Sequence, residues 1–376
     1  MNSRHLLRLA AATLAAALIV ASSGCDTKPE AATEPVVENI ILMVGDGMGL
    51  AQVTSLMVSK NYSPINMERA TVGGFVKTYS ANSRVTDSAA AGTAFSTGVK
   101  TRNGSLGVDP DGVAVETILE KAEKAGRPTG LAVTTYIQHA TPGAFYTHNP
   151  DRNDYEGIAI DLVSSGVDVA IGGGRNFMVG RKADSRDLMA EMRGKGYVVA
   201  DDLAGLAGVV SGSAVALYDG EIEYVAAGRD PMFLANATSK ALEILTANSA
   251  AAGRGFFAMI EGSRIDHASH GNSSEGMIGE VLDFDNAVGV AFDYADAHPG
   301  TLVIVLADHE TGGLTLASGR DDSAIPGSGV ELKWSTGGHT GSMIPLFAYG
   351  AGAENFGGVL ENVEVNRRMV ELLGLD

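Results

Sequence analysis

Asn39-Ile40-Ile41-Leu42-Met43-Val44-Gly45-Asp46-Gly47-Met48-Gly49 is the stretch on which the fold turns. Ile40 to Val44 are apolar without alternation, the pattern of a strand covered on both faces, as in a parallel sheet. Asp46 stands at the end of that strand, and Gly47-Met48-Gly49 lets the backbone turn closely before a helix expected to reach about residue 60. Open α/β sheets build their sites at this edge. A lone Gly-x-Gly lacks the rest of the dinucleotide fingerprint, so no nicotinamide cofactor is expected. Further apolar runs at 72–79, 130–135, 167–171, 256–260, 301–307 and 344–349 read as strands. Between them, helices are expected over 88–97, 113–124, 236–251 and 277–297, with another after Arg152 through residue 165. The alternation predicts an α/β fold with a mostly parallel central sheet and helices on both faces. Residues 176–235 mix short helical and extended pieces without a metal-like cluster and read as scaffold.

Thr86-Asp87-Ser88-Ala89 opens the helix expected from residue 88. Thr86 or Asp87 can cap its orphan N–H groups, and the small residues after Ser88 suit a crowded site. The positive end of a helix favours both an incoming anion and a serine alkoxide, which makes Ser88 the candidate nucleophile. A capped alanine-rich helix buried in a core would carry the same residues. Serine becomes a nucleophile only beside an activating base or metal.

Such a centre is suggested by where the acids and imidazoles fall. Asp46, Glu261 and Asp308 each follow an apolar run, and Thr141, His139, His270, His309 and His339 occupy comparable or adjoining loops. In a parallel sheet these ends share one edge, so residues distant in sequence can converge there. Asp266 and His270, four apart, can share a helical face. Asp, Glu and His are the ligands expected for zinc together with a harder, magnesium-like ion. His148 and His298 read as ordinary hydrogen-bonding residues, and Arg152 alone as a surface ion-pair partner.

Composition narrows the alternatives. The 376 residues carry 27 Lys plus Arg against 45 Asp plus Glu, a net charge of −18, with no basic patch, so no nucleic-acid-binding surface is expected. Residues 1–24 read as an export leader, with Arg4 and Arg8 ahead of an apolar run. Ser22-Ser23-Gly24-Cys25 is similar to a bacterial lipoprotein processing site, although Ser22 stands where leucine is usual. The expected organisation is a leader (1–24), a tether from Cys25 (25–38) and one catalytic domain (39–376), in an exported protein that is periplasmic or lipid-anchored at Cys25. A spanning helix needs about 20 apolar residues, more than this run supplies. The single cysteine excludes an internal disulfide.

Taken in order, Gly45-Asp46-Gly47-Met48-Gly49, Thr86-Asp87-Ser88-Ala89, His139-Ala140-Thr141-Pro142, Glu261-Gly262-Ser263-Arg264-Ile265-Asp266, Asp308-His309 and His339-Thr340-Gly341 resemble the bacterial alkaline phosphatases, in a short form. The resemblance runs from residue 39 to the last predicted strand. It implies two zinc ions, one on Asp266, His270 and His339 and one on Asp46, Asp308 and His309. Magnesium would sit on Asp46, Thr141 and Glu261. Arg152, oriented by Asp87, would grip phosphate, and small phosphate monoesters would be hydrolysed through a phosphoserine on Ser88. His139 and His267 stand where other members carry aspartate and lysine, which implies that His139 serves magnesium through water and that His267 holds phosphate less tightly. A phosphodiesterase or phosphonate hydrolase of the same superfamily, or a metal-dependent phosphate binder without turnover, would share much of this pattern. The context of Ser88 lacks the Cys-x-Pro-x-Arg pattern of sulfatases. A monomer and a homodimer are both compatible with the sequence.

Overall fold

The computed structural model describes residues 36–319 and 324–375; the leader, Cys25 and all but the end of the expected tether lie outside them. The strands are β1 (Asn39–Gly45), β2 (Val72–Lys77), β3 (Thr129–Tyr136), β4 (Val169–Gly173), β5 (Val198–Ala200), β6 (Ala214–Leu217), β7 (Phe257–Gly262), β8 (Thr301–Leu306), β9 (Glu310–Thr311), β10 (Thr315–Ser318), β11 (Val330–Lys333), β12 (His339–Thr340), β13 (Ile344–Gly350) and β14 (Gly358–Glu361). One ten-stranded sheet has the order β14-β2-β13-β8-β1-β7-β3-β4-β6-β5, while β9 pairs with β12 and β10 with β11. Only β13 runs against its neighbours in the large sheet, where it is antiparallel to both β2 and β8.

The centre of this sheet positions the site. In β8, β1, β7 and β3 the residues Leu306, Val44, Glu261 and Val133 lie in register, so these four adjacent strands end at one edge. β1, β7 and β8 are buried along their whole length, as their unbroken apolar runs require. The strand expected to end at Ile260 continues to Gly262, so Glu261 is part of β7 rather than of the loop beyond it.

Local chemistry explains several boundaries. The helix expected from residue 113 starts at Ile118, because Thr117 and Glu120 form a capping box: the Thr117 hydroxyl accepts from Glu120 N, and Glu120 accepts from Thr117 N. Helix Ser88–Thr97 is capped by Asp87, which accepts from Ala90 N at 3.0 Å. Gly92 lets this helix approach the short helix Ala140–Gly143, since a Cβ there would lie 3.1 Å from the Ala144 methyl. At its other end, Asn366 from helix Asn362–Leu373 donates to the carbonyls of Phe95 and Ser96 at 2.9 and 2.8 Å.

Residues 176–235 do more than fill space. They supply β5 and β6, and Arg229 ties them to helix Ser274–Ala297 through Glu280 at 2.7 Å and Asp283 at 2.8 Å. All three side chains are buried, and burial holds the Asp283 carboxyl up at about 7 despite the guanidinium. Arg229→Ala strands two buried carboxylates and is expected to lower stability by about 3–5 kcal/mol, read from urea unfolding midpoints.

Candidate active site

The sheet edge brings most of the expected residues together. Asp46 Oδ1 and Asp308 Oδ2 lie 3.6 and 3.2 Å from His309 Nε2, and all three side chains are fully buried. His270 Nε2 is 3.2 Å from Asp266 Oδ2 and 3.1 Å from His339 Nε2, while His339 Nε2 is 3.6 Å from Asp266 Oδ1. Possible ligand atoms of Asp266, His309 and His339 also lie within 4.8 Å of one another, as do those of Asp46, His139 and Glu261. Ser88 Oγ is 3.3 Å from His309 Nε2, at the start of its buried helix.

Hydrogen bonds fix which imidazole nitrogen faces inward. His270 Nδ1 lies 2.7 Å from Gly337 O and His339 Nδ1 3.0 Å from Thr86 O, so each donates outward and turns Nε2 toward Asp266. Thr311 does the same for His309: its hydroxyl donates to Asp266 Oδ1 at 2.5 Å and accepts from His309 Nδ1 at 3.2 Å. Asp308 Oδ1 accepts from Gly47 N at 3.0 Å and His309 N at 2.9 Å, which turns Oδ2 toward the centre. Gly47 has φ +69°, and a Cβ on it would meet Thr311 Oγ1 at 2.7 Å and Asp266 Oδ1 at 2.9 Å.

What remains unpaired defines the fit for cations. Both carboxylate oxygens of Asp46 and of Glu261, Asp308 Oδ2, Thr141 Oγ1 and His139 Nδ1 are buried without a hydrogen-bond partner. Leaving so many buried polar atoms unmatched is costly unless something of opposite charge binds them. Burial, reinforced by repulsion from Asp308, Asp266 and Glu261, holds the Asp46 carboxyl well above its usual range. Burial likewise pushes Glu261 up to about 8. Burial also acts to raise Asp266, but the His270 hydrogen bond and the charges of His309 and His339 outweigh it and leave this carboxyl well below the usual range. Its hydrogen bond in turn lifts His270 to about 9.

Around this centre stands an anion-binding arrangement. Asp87 Oδ2 accepts from Arg152 Nη1 at 3.0 Å and from Gly104 N at 2.9 Å. Arg152 Nη2 is 3.3 Å from His139 Nε2, and the rings of His139 and His267 meet edge-on, with centroids 5.6 Å apart. Arg152 is therefore part of the cluster rather than a stray surface partner.

The chain matches the family model "Alkaline phosphatase" over residues 37–328. It is 30% identical to alkaline phosphatase 3 of Bacillus subtilis, over 90% of this chain and 89% of that protein. The alkaline phosphatase of the Antarctic bacterium TAB5 has the same fold, with a TM-score of 0.85, 36% identity, and coverage of 92% of this chain and 100% of that one. A variant of that enzyme with glutamate in place of a histidine, solved with Mg bound in its M3 site, matches with a TM-score of 0.84 and 35% identity over the same shares of each chain. The chain belongs to the alkaline phosphatase family. Its reaction is the hydrolysis of phosphate monoesters.

Two residues of this alkaline phosphatase went unnoticed in the sequence. Arg264 Nη1 lies 3.3 Å from His267 Nδ1 and pairs with Glu221 at 2.5 Å, and its guanidinium stacks 3.9 Å from the centre of the Tyr224 ring. A fixed positive charge thus persists beside His267, offset by Glu221, where the two imidazoles alone suggested none. Arg264 was visible within the Glu261–Asp266 motif; Glu221 sits in the stretch read as scaffold, and nothing in its spacing marks it. His148, as expected, is an ordinary partner, 2.9 Å from Glu120, and His298 Nδ1 lies 2.9 Å from Tyr294 O. The chain between β11 and β12 reaches the cleft edge through Gly337 O, and β12 does so through His339.

Without metals, Asp46, Glu261 and His270 all bind protons more tightly folded than unfolded, so their contribution to stability falls as pH rises. Burial depresses His139, His267 and His309 below 6.5, which works in the opposite sense only below that pH. Chelated enzyme is therefore expected to lose melting temperature between about pH 6.5 and 9, a window set by the ordinary histidine value and by His270. Metal-loaded enzyme should lose much less, as differential scanning calorimetry of both forms would show.

Proposed function

We propose that this alkaline phosphatase works through a phosphoserine on Ser88, with two zinc ions and one magnesium ion held around it. The observation that carries this is the set of buried, unpartnered ligand atoms converging beside the Ser88 hydroxyl. Asp266, His270 and His339 hold one zinc, and Asp46, Asp308 and His309 the other. Asp46, Glu261 and Thr141 hold magnesium, with His139 at the rim of that site; the Mg-containing TAB5 variant supports an ion of this type. When bound, these ions supply the positive charge that lowers the pKa of the Ser88 hydroxyl and offsets the charge on the departing alcohol oxygen.

The chain's own residues do the rest. Ser88 Oγ attacks phosphorus, the bond from phosphorus to the alcohol oxygen breaks, and the alcohol leaves with a proton. Water then attacks from the vacated side, and Ser88 recovers its proton as phosphate departs. The free amides at the start of helix Ser88–Thr97 favour the alkoxide and the phosphate alike. Arg152, held by Asp87, presents its fork to phosphate oxygens in both steps.

Ser88→Ala is expected to abolish most turnover while zinc content, measured by atomic absorption, stays close to that of the parent. Acid quenching with labelled substrate should leave phosphate on Ser88 in the parent and none in the variant. A phosphate binder without turnover would show no adduct in either. Arg152→Ala should raise the phosphate inhibition constant by roughly ten- to a hundredfold, the loss of one charge-assisted pair, and keep slow turnover.

The leader pattern supports export, with lipid on Cys25 and residues 27–38 as tether, which would make the enzyme periplasmic or membrane-anchored. Among the described residues no helix is long and apolar enough to cross a membrane.

A further inference from the structure

Thr311 stands where the two proposed zinc sets meet. It lies in β9 and is fully buried. Its amide donates to Gly47 O at 3.2 Å, next to Asp46, and its carbonyl accepts from Gln52 Nε2 at 2.8 Å. Across the pair of β9 with β12 it is opposite His339. The backbone is thus held from three sides, and a β-branched side chain adds its own restriction at χ1.

The Thr311 hydroxyl has one proton and two partners. Asp266 Oδ1, 2.5 Å away, can only accept when ionised, so it takes that proton. The hydroxyl oxygen is left to accept, and His309 Nδ1 at 3.2 Å must then carry the hydrogen. That reserves His309 Nε2 for the centre, where it faces Asp46 and Asp308. One hydroxyl therefore sets a carboxylate of the first zinc set and an imidazole of the second. Gly47 closes the same spot, since a Cβ there would lie 2.7 Å from Thr311 Oγ1, and a residue with no exposed surface has no water to stand in for a lost partner.

We propose that the Thr311 hydroxyl is a positioning group shared by both zinc sites, a ligand in neither, whose loss weakens the two together. The inference rests on the two-zinc reading above. Without the hydroxyl, His309 is free to carry its proton on Nε2, and Asp266 Oδ1 faces an apolar group. Each site must then reorganise a ligand before an ion can enter.

Zinc affinity, read by competition with a chromophoric chelator, tests this with turnover playing no part. His270→Ala leaves the set of Asp46, Asp308 and His309, and Asp308→Ala leaves that of Asp266, His270 and His339, so each background reports one site. Adding Thr311→Val should raise the zinc dissociation constant about ten- to a hundredfold in both backgrounds. Thr311→Ala, which needs no room for a second methyl, should do the same, while Thr311→Ser keeps the hydroxyl and should restore most of the affinity. Weakening in one background alone would make Thr311 a partner of that site only and overturn the proposal. Thr311→Ser binding zinc as poorly as Thr311→Val would also overturn it, because the hydroxyl would not be the cause. A parent enzyme that binds fewer than two zinc ions would overturn the two-zinc reading itself, and the shared role with it.

Discussion

Four buried carboxylates, Asp46, Glu261, Asp266 and Asp308, crowd one edge of a sheet where water cannot screen them. Their mutual repulsion is the constraint on which the rest of the structure depends. A sheet of apolar strands can place such groups together only by holding them rigidly, and the charge must then be balanced by something the chain does not supply. Arg152 and Arg264, two permanent cations described near this edge, are already committed, to Asp87 and Glu221 respectively. The imidazoles respond to the same constraint: each turns Nδ1 to a carbonyl or hydroxyl and points Nε2 into the centre. Metal affinity here is therefore a property of the fold as much as of the ligands.

The positioning groups show how the fold holds this arrangement. Thr311 touches one member of each proposed zinc set, Asp266 and His309, so the two halves cannot shift independently. Glu310, its neighbour, accepts from Gln52 at 3.1 Å, Gly313 N at 3.2 Å and Leu314 N at 3.1 Å, and from the Thr340 hydroxyl, which fastens β9 to β12 and thereby His309 to His339. The turn at Gly47 and Gly49 presses on this same pair of residues, and a side chain at either glycine would collide with them.

Much of this was legible in the sequence because parallel strands announce themselves as unbroken apolar runs and because acids at their ends have few other uses. β1, β7 and β8 and the helix that begins with Ser88 could be placed on that basis, and Asp46 and Asp308 lie together at that edge as their strand-end positions suggest. Other features were hidden for physical reasons. β5, β6 and β14 are short, and β14 contributes only one buried side chain, Leu360, so periodicity says little about it. The start of the helix at Ile118 depended on a reciprocal cap that outweighs the apolar residues before it. Glu221 and Tyr224 reach the site from a loop whose path is set by the Arg229 ion pairs, and a contact of that kind leaves no local pattern.

The bonds from Asn366 to the carbonyls of Phe95 and Ser96 bear on timing. The far end of the helix that begins with Ser88 is completed by a residue 270 positions beyond Ser96, and β1 is flanked by strands more than two hundred residues later. Ser88 and Asp46 are made early, yet neither is set in place until these distant segments exist. A chain cut short before Asn366 therefore lacks part of what holds the centre. The site is assembled late in synthesis and, where export occurs, in the compartment where the chain folds.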